Sequence, residues 1–302
     1  MQNGNEAAAV LPEGKGASRA GGYRGIALMV AAVAVQSCSE AVAKFMTASL
    51  PAVEVAWLRY AVFAAIVVVG TFARGERLAL RTPRPDLQIL RSVTAVGAAI
   101  FFIMALSLLP MAEVTAISFV SPLLVTVFSI PILRETVGVR RWIAVAVGMA
   151  GVLMVVRPST ATFAVSAAFP LFAAASWALA LVVTRLMSAS DRPLVSLTYA
   201  ALVGFAVTSA LVPFTWVTPD PKGLLLGLAT GIFGTAAQYL TVAALHHERA
   251  SVLAPLFYGS LVWSILFGYI LFGDLPDLWT YAGAATIIAG GLYTLSRSPR
   301  RR

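Results

Sequence analysis

Apolar runs of about twenty residues, almost free of charge, alternate with short polar breaks along nearly the whole chain. As an α-helix such a run rises roughly 30 Å, the thickness of the hydrocarbon core of a bilayer. A helix of a soluble domain would divide its hydrophobicity into a stripe, which these runs do not do. The pattern predicts helices at 24–46, 52–73, 87–109, 112–133, 139–156, 166–187, 194–216, 223–245, 250–272 and 277–296. Breaks such as Arg81-Thr82-Pro83-Arg84-Pro85-Asp86 and Thr218-Pro219-Asp220-Pro221 separate them, because proline withholds an N–H and restricts the residue before it. The predicted fold class is an all-α integral membrane protein of ten transmembrane helices, with the lipid bilayer as its solvent.

Composition strengthens this reading, since 59% of the 302 residues are apolar and only 12% charged, about half the charged share of a soluble domain. A net charge of +9 would point to nucleic acid in a soluble protein. Here the arginines sit at the ends of apolar runs, so no nucleic-acid partner is expected. All but four of the 22 lysines and arginines fall in segments on one side of the ten-helix plan. Those four are Arg157 and Lys222 on the other side and Lys44 and Arg59 within helices. Basic loops stay in the cytoplasm, which predicts a multi-pass protein of a bacterial-type inner membrane with both termini cytoplasmic. Residues 1–22 are polar and Gly/Ala-rich and lack the apolar core of a signal peptide. They are expected to form a disordered cytoplasmic tail, and 297–302 a short basic one. Cys38 is the only cysteine, which excludes an intramolecular disulfide and a cysteine-based metal cluster. No cofactor is implied.

The chain also repeats. Residues 97–156 lie on 236–295 at a constant offset of 139, pairing Ala105-Leu106 with Ala244-Leu245, Phe128 with Phe267 and Glu135 with Asp274. Leu58 and Tyr60 meet Leu197 and Tyr199 at the same offset. This divides the chain into repeats over 23–157 and 163–296. Five helices per repeat is an odd number, so the second repeat must enter the membrane from the opposite face. Inverted duplications recur in secondary transporters, which bind substrate near the midplane between the halves.

Residues 105–116, Ala-Leu-Ser-Leu-Leu-Pro-Met-Ala-Glu-Val-Thr-Ala, are followed by Pro122, Arg134-Glu135, Gly148 and Gly151-Val152-Leu153. A second copy runs Ala243-Ala244-Leu245, Arg249-Ala250-Ser251, Gly273-Asp274 and Ala289-Gly290-Gly291-Leu292. With these motifs the chain resembles the EamA-type branch of the drug/metabolite transporter superfamily over residues 24 to 296. The second copy departs from the pattern in Asp274, where glutamate is usual, and in the early position of Pro255. The resemblance implies ten helices in two five-helix repeats and a small-molecule substrate, amino acids being prominent in the family. The chain is similar to the aromatic amino-acid exporters. Oligomeric state is left open.

Ionisable groups within helices cost about 2.5 to 3.5 kcal/mol each at the bilayer centre, so Glu40, Lys44 and Arg59 require a reason. Glu40 lies about 24 Å from the inner end of its helix, and Lys44 comes near enough to the outer interface to snorkel. The hairpin turn is centred near residues 49 and 50, which puts Glu40 level with Arg59 and Lys44 nearly level with Glu54. Two cross-hairpin ion pairs are therefore predicted. Mutual neutralisation and a substrate or gating role are both consistent with them. Helices 4 and 9 carry Pro122 and Pro255, each freeing the carbonyl of a serine four residues earlier, Ser118 and Ser251. Such breaks can expose carbonyls to substrate, flex as gates, or be healed as plain kinks. Gly223, Gly227, Gly231 and Gly234 suggest close helix packing. Gln238, Tyr239, Trp177, Phe257 and Tyr258 could contact an apolar or aromatic substrate by hydrogen bonding and stacking. Equally, such rings serve packing and interfacial anchoring. His246 and His247 point about 100° apart, a poor arrangement for a shared metal.

The leading function is therefore export of a small, partly apolar metabolite of amino-acid type by alternating access. A proton-coupled antiporter of drugs or organic cations that uses Glu40 is the alternative, opposed by the predicted Arg59 partner. An enzyme would need acid-base machinery, yet the chain has two histidines and neither an HExxH nor a GxSxG motif.

Overall fold

The computed structural model describes residues 19–75, 77–134, 138–156, 161–187, 193–248 and 250–296. The expected C-terminal tail and all but the last four residues of the expected N-terminal tail lie outside these. Twelve α-helices follow in order: α1 Arg19–Met46, α2 Ala52–Ala73, α3 Pro85–Leu108, α4 Met111–Ser118, α5 Ser121–Leu133, α6 Val139–Val156, α7 Ala161–Met187, α8 Pro193–Leu211, α9 Pro221–His247, α10 Ala250–Leu253, α11 Gly259–Phe272 and α12 Leu278–Ser296. Short 3-10 turns cover Val212–Phe214 and Ala254–Tyr258. Because α4 with α5, and α10 with its 3-10 turn and α11, each form one broken crossing, the twelve helices make ten membrane segments. Among the described residues eight are long and apolar enough to cross outright, and the other two contain the shorter apolar stretches Val145–Val155 and Leu278–Gly290.

The boundaries follow from local chemistry. Proline stands in the first turn of α3, α5 and α9, where no intrahelical bond needs its missing N–H. Asp220 caps α9 by accepting from the Gly223 N–H at 2.6 Å. Gly273 ends α11 at φ 71°, a left-handed conformation suited to glycine, and the Asp274 N–H returns to the Gly268 carbonyl at 2.9 Å. The structure corrects the sequence reading in four places. The first helix starts at Arg19 rather than 24, the sixth crossing starts at Ala161 rather than 166, the seventh leaves α-geometry at Leu211 beside Pro213, and crossings 4 and 9 are interrupted.

Two units of five crossings each, α1–α6 and α7–α12, pack with inverted symmetry. The most extensive contacts are α1 along α9 and α3 along α7, which the repeat relates to each other, and α6 on α12, which it relates to itself. Glycine permits the closest of these. A Cβ on Gly151 would lie 2.8 Å from the Gly283 carbonyl oxygen, and one on Gly283 would lie 2.6 Å from that of Gly151. Along α9, Gly227 faces Leu58 and Gly231 faces Val62, so the glycine stripe is the bed of α2.

The two ends of the bundle differ. At the end bearing the α1–α2 turn, Ala41, Ala105, Leu109, Met111 and Val114 form one buried cluster sealed by Phe169, Phe267 and Phe272, which joins both repeats. At the end bearing the Arg74–Arg84 loop the buried clusters are small and separate: Met29 with Ala244 and Leu253, Ala64 with Val67 and Ala201, and Val125 with Ala178 and Val182. Equivalent segments show the same contrast. Most of α4 is buried, whereas Val252, Pro255 and Phe257, in its counterpart, are exposed. Buried packing is continuous at the first end and divided at the basic end, where a groove lined by Val30, Val33, Pro255, Leu256, Gly259 and Trp263 parts α1 from crossing 9.

The α6–α12 crossing yields a stability prediction. Gly151→Leu should force these helices apart and lower the thermal unfolding midpoint in detergent by several degrees. Gly70→Ala, where nothing lies within 4 Å, should leave it unchanged or slightly raised.

Candidate functional site

The interior of the bundle is polar at one level. On α1, Glu40 follows Met29 and Val33 along the inward stripe, and its Oε1 accepts from Gln36 Nε2 at 3.1 Å. On α2, Arg59 lays its guanidinium across Gly234 of α9, where a Cβ would come within 2.9 Å of Nε and 3.4 Å of Cζ. Between them α1 and α9 are joined by paired hydroxyls. Ser39 Oγ reaches the Thr230 carbonyl at 2.8 Å, and Thr230 Oγ1 donates to the Ser39 carbonyl at 3.0 Å. Glu40 and Arg59 thus flank one short stretch of α9, each half-buried.

They are not an ion pair. Among the described residues the salt bridges closer than 4.0 Å are Lys44–Asp274 and Arg84–Asp86. Lys44 neither snorkels nor meets Glu54. Its Nζ contacts Asp274 Oδ2 at 2.7 Å and the Leu109 carbonyl at 3.4 Å, and lies 4.6 Å from the Phe272 ring centre. Glu54 is fully buried and accepts from the Val217 N–H at 3.0 Å. Both expected pairs fail for one reason: distance from a hairpin turn sets height but not azimuth. The rotation of α2 aims Arg59 at α9, and that of α1 aims Lys44 at the end of α11. The Gly273 turn then brings Asp274 back to meet it.

The two proline breaks meet at the centre. Phe119, just after α4, packs edge-on against Tyr258, the last residue of the 3-10 turn, with ring centres 5.0 Å apart. These residues are separated by the repeat offset of 139, so the pair sits on the pseudo-two-fold axis. Pro122 occupies the first turn of α5 and Pro255 the 3-10 turn. Ser118 Oγ donates to the Val114 carbonyl at 2.7 Å. Ser251 lies in α10, and its side chain is outside the described part of the structure.

The remaining candidates divide. Trp177 shares a face of α7 with buried Ala173, Ala174 and Ala180 yet is 44% exposed. Gln238 behaves alike, since it is exposed although Gly231 and Gly234 on the same face are buried. Tyr239 is 67% exposed beside Ile232, Leu228 and Leu225, the lipid-facing side of α9. Phe257 is exposed. No common aromatic cage forms from these five side chains. Sequence reasoning missed Gln36, although its four-residue spacing to Glu40 signals a helix pair. It also missed the Ser39–Thr230 clasp, which no local signal announces.

Comparison with known proteins agrees with this architecture. The EamA-like transporter family matches residues 23–157 and again 164–296. The S-adenosylmethionine uptake transporter of Rickettsia prowazekii is 27% identical over 90% of this chain and 92% of its own. The riboflavin transporter of Vibrio cholerae is 30% identical over 79% and 81% of the two chains, and the pseudopaline exporter of Pseudomonas aeruginosa 27% over 91% and 97%. None of these three names an aromatic amino-acid exporter. A solved crystal structure shares the fold, with a TM-score of 0.62 at 20% identity over 92% of this chain and 97% of the other. The family match covers both halves of a ten-segment membrane bundle, and the chain belongs to the EamA-like transporter family of membrane transporters, not to an enzyme class.

Proposed function

We propose that this protein carries a small zwitterionic metabolite of amino-acid type outward by alternating access, with repeats 23–157 and 163–296 rocking about the site between them. The observation that supports this reading is the unpaired relation of Glu40 and Arg59. Opposite charges held half-buried at one depth, without contacting each other, leave part of both desolvation costs uncompensated, since Glu40 has the Gln36 hydrogen bond and only distant attraction from Arg59. A substrate ammonium on Glu40 and a substrate carboxylate on Arg59 would compensate both. Trp177 and Gln238, each exposed on a face whose neighbours are buried, suit a partly apolar side chain. Pro122 and Pro255 put flexible breaks at the axis, where helices 4 and 9 can bend with Ser118 and Ser251.

Charge and packing support the proposed direction and orientation. The parted end bears the arginines, which the positive-inside rule assigns to the cytoplasm together with both termini. A site open to the cytoplasm is ready to load for export. Lys44 and Asp274 then belong to the outer gate. A second reading, a cation or drug antiporter, gains from the absence of a direct Glu40–Arg59 contact, because Glu40 would be free to exchange a proton for a cation.

Proteoliposome transport of labelled amino acids separates the two. For a zwitterion carrier, Glu40→Gln and Arg59→Gln should each lower transport at least tenfold, while a cation antiporter should lose only the Glu40 variant. Gly234→Ala should fold, because Arg59 can swing away, but should raise KM several-fold. At the outer gate, Lys44→Gln and Asp274→Asn should each slow transport several-fold, and the exchanged pair Lys44→Asp with Asp274→Lys should recover most of it. A reporter fused after Arg302 should be active in the cytoplasm, and activity restricted to the periplasm would reverse the assignment.

A further inference from the structure

Arg91 on α3 is a second interior guanidinium with no carboxylate near it. Its Nε donates to Thr184 Oγ1 on α7 at 2.9 Å, and its Nη1 donates to the Ser196 carbonyl on α8 at 3.2 Å. Thr184 already gives its own proton to the Ala180 carbonyl at 2.7 Å, so its oxygen is free to accept. A guanidinium carries five N–H donors, and these two bonds occupy one on each of two nitrogens. Among the described residues Nη2 has no partner, and no acid lies within 4.0 Å.

The setting of this group matters as much as its bonds. Thr184 lies seven residues beyond Trp177 on the same face of α7, about 10 Å nearer the basic end. Arg91 is part-buried and lies six residues into α3, which starts at the basic end of the bundle. Tyr60, packed over Gly204 of α8, is within Coulombic range of both Arg59 and Arg91. Two bonds to neutral acceptors therefore hold the guanidinium, and its planar fork keeps both Nη2 N–H groups for a carboxylate.

The geometry points to Arg91 as an entry site that captures the carboxylate of the substrate at the parted end before Arg59 receives it. This rests on the zwitterion reading above and adds a selectivity step to it. Anionic and zwitterionic solutes are concentrated at the mouth, and purely cationic ones are turned away.

Tryptophan-fluorescence titration of the purified full-length protein tests the assignment with 3-phenylpropionate, a carboxylate without an ammonium, and phenethylamine, its opposite. Arg91→Gln should weaken 3-phenylpropionate about tenfold, the worth of one charge-assisted hydrogen bond, and leave phenethylamine within about twofold. Arg91→Lys, the variant to use if Arg91→Gln fails to fold, keeps the charge without the fork and should fall between. Substrate transport by either should show a raised KM with little change in maximal rate. Equal 3-phenylpropionate affinity in wild type and Arg91→Gln overturns the entry site. Equal weakening of both ligands also overturns it, leaving Arg91 a fastener of α3 to α7 and α8. If 3-phenylpropionate binding needs Arg91 but not Arg59, the entry site stands and the zwitterion reading falls. No binding to the wild type overturns both.

Discussion

Hydrocarbon offers no hydrogen bonds, so a backbone group freed inside a membrane must be sheltered by protein or by enclosed water. Pro122 and Pro255 free such groups in crossings 4 and 9, and that requirement shapes the rest of the structure. An interrupted helix cannot face lipid at the break, so both breaks turn to the centre of the bundle. There Phe119 and Tyr258 close against each other on the axis that relates the repeats. The continuous helices α1, α3, α7 and α9 enclose them, and the charges near the centre are borne by these helices and by α2.

Inverted duplication makes the two ends of the molecule chemically comparable, and this gives their difference meaning. If both repeats adopted one shape, α4 and the α10 segment would be equally buried. Instead α4 is packed among α3, α6, α7, α11 and α12, while its counterpart packs chiefly on α1 and α9. Local sequence reinforces the asymmetry. Lys44 has Val183 at its equivalent position in the second repeat, so the salt bridge to Asp274 has no lysine counterpart at the basic end. A bundle with two interchangeable states can thus favour one of them through a single unequal pair.

Much of this was legible in the sequence because lipid imposes simple one-dimensional rules. Segment count needs only length and hydropathy, and the inverted repeat needs only a fixed offset and an odd helix number. Both pass through intact, as does the glycine stripe of α9 as a packing surface. What failed depends on azimuth. Glu40 and Arg59 were set level by counting from the hairpin turn, but the turn does not say which way α2 is rolled. That roll is decided by Gly227 and Gly231, which draw Leu58 and Val62 into α9 and carry Arg59 along. Tyr239 takes the lipid-facing alternative for a related reason. It is one residue from Gln238, and on a helix that is about 100° of arc, enough to separate interior from lipid.

The glycines therefore do more than bring helices together. A side chain at position 234 would occupy the place where the guanidinium of Arg59 rests, and a larger residue at 231 would push α2 outward. With α2 displaced, Arg59 would leave the level of Glu40, and the two charges would no longer flank the same turn of α9. In this fold small residues set where charge sits. The stripe that reads in sequence as packing is thus also what positions the chemistry, because between closely packed helices a charged side chain can lie only where the neighbouring backbone leaves room.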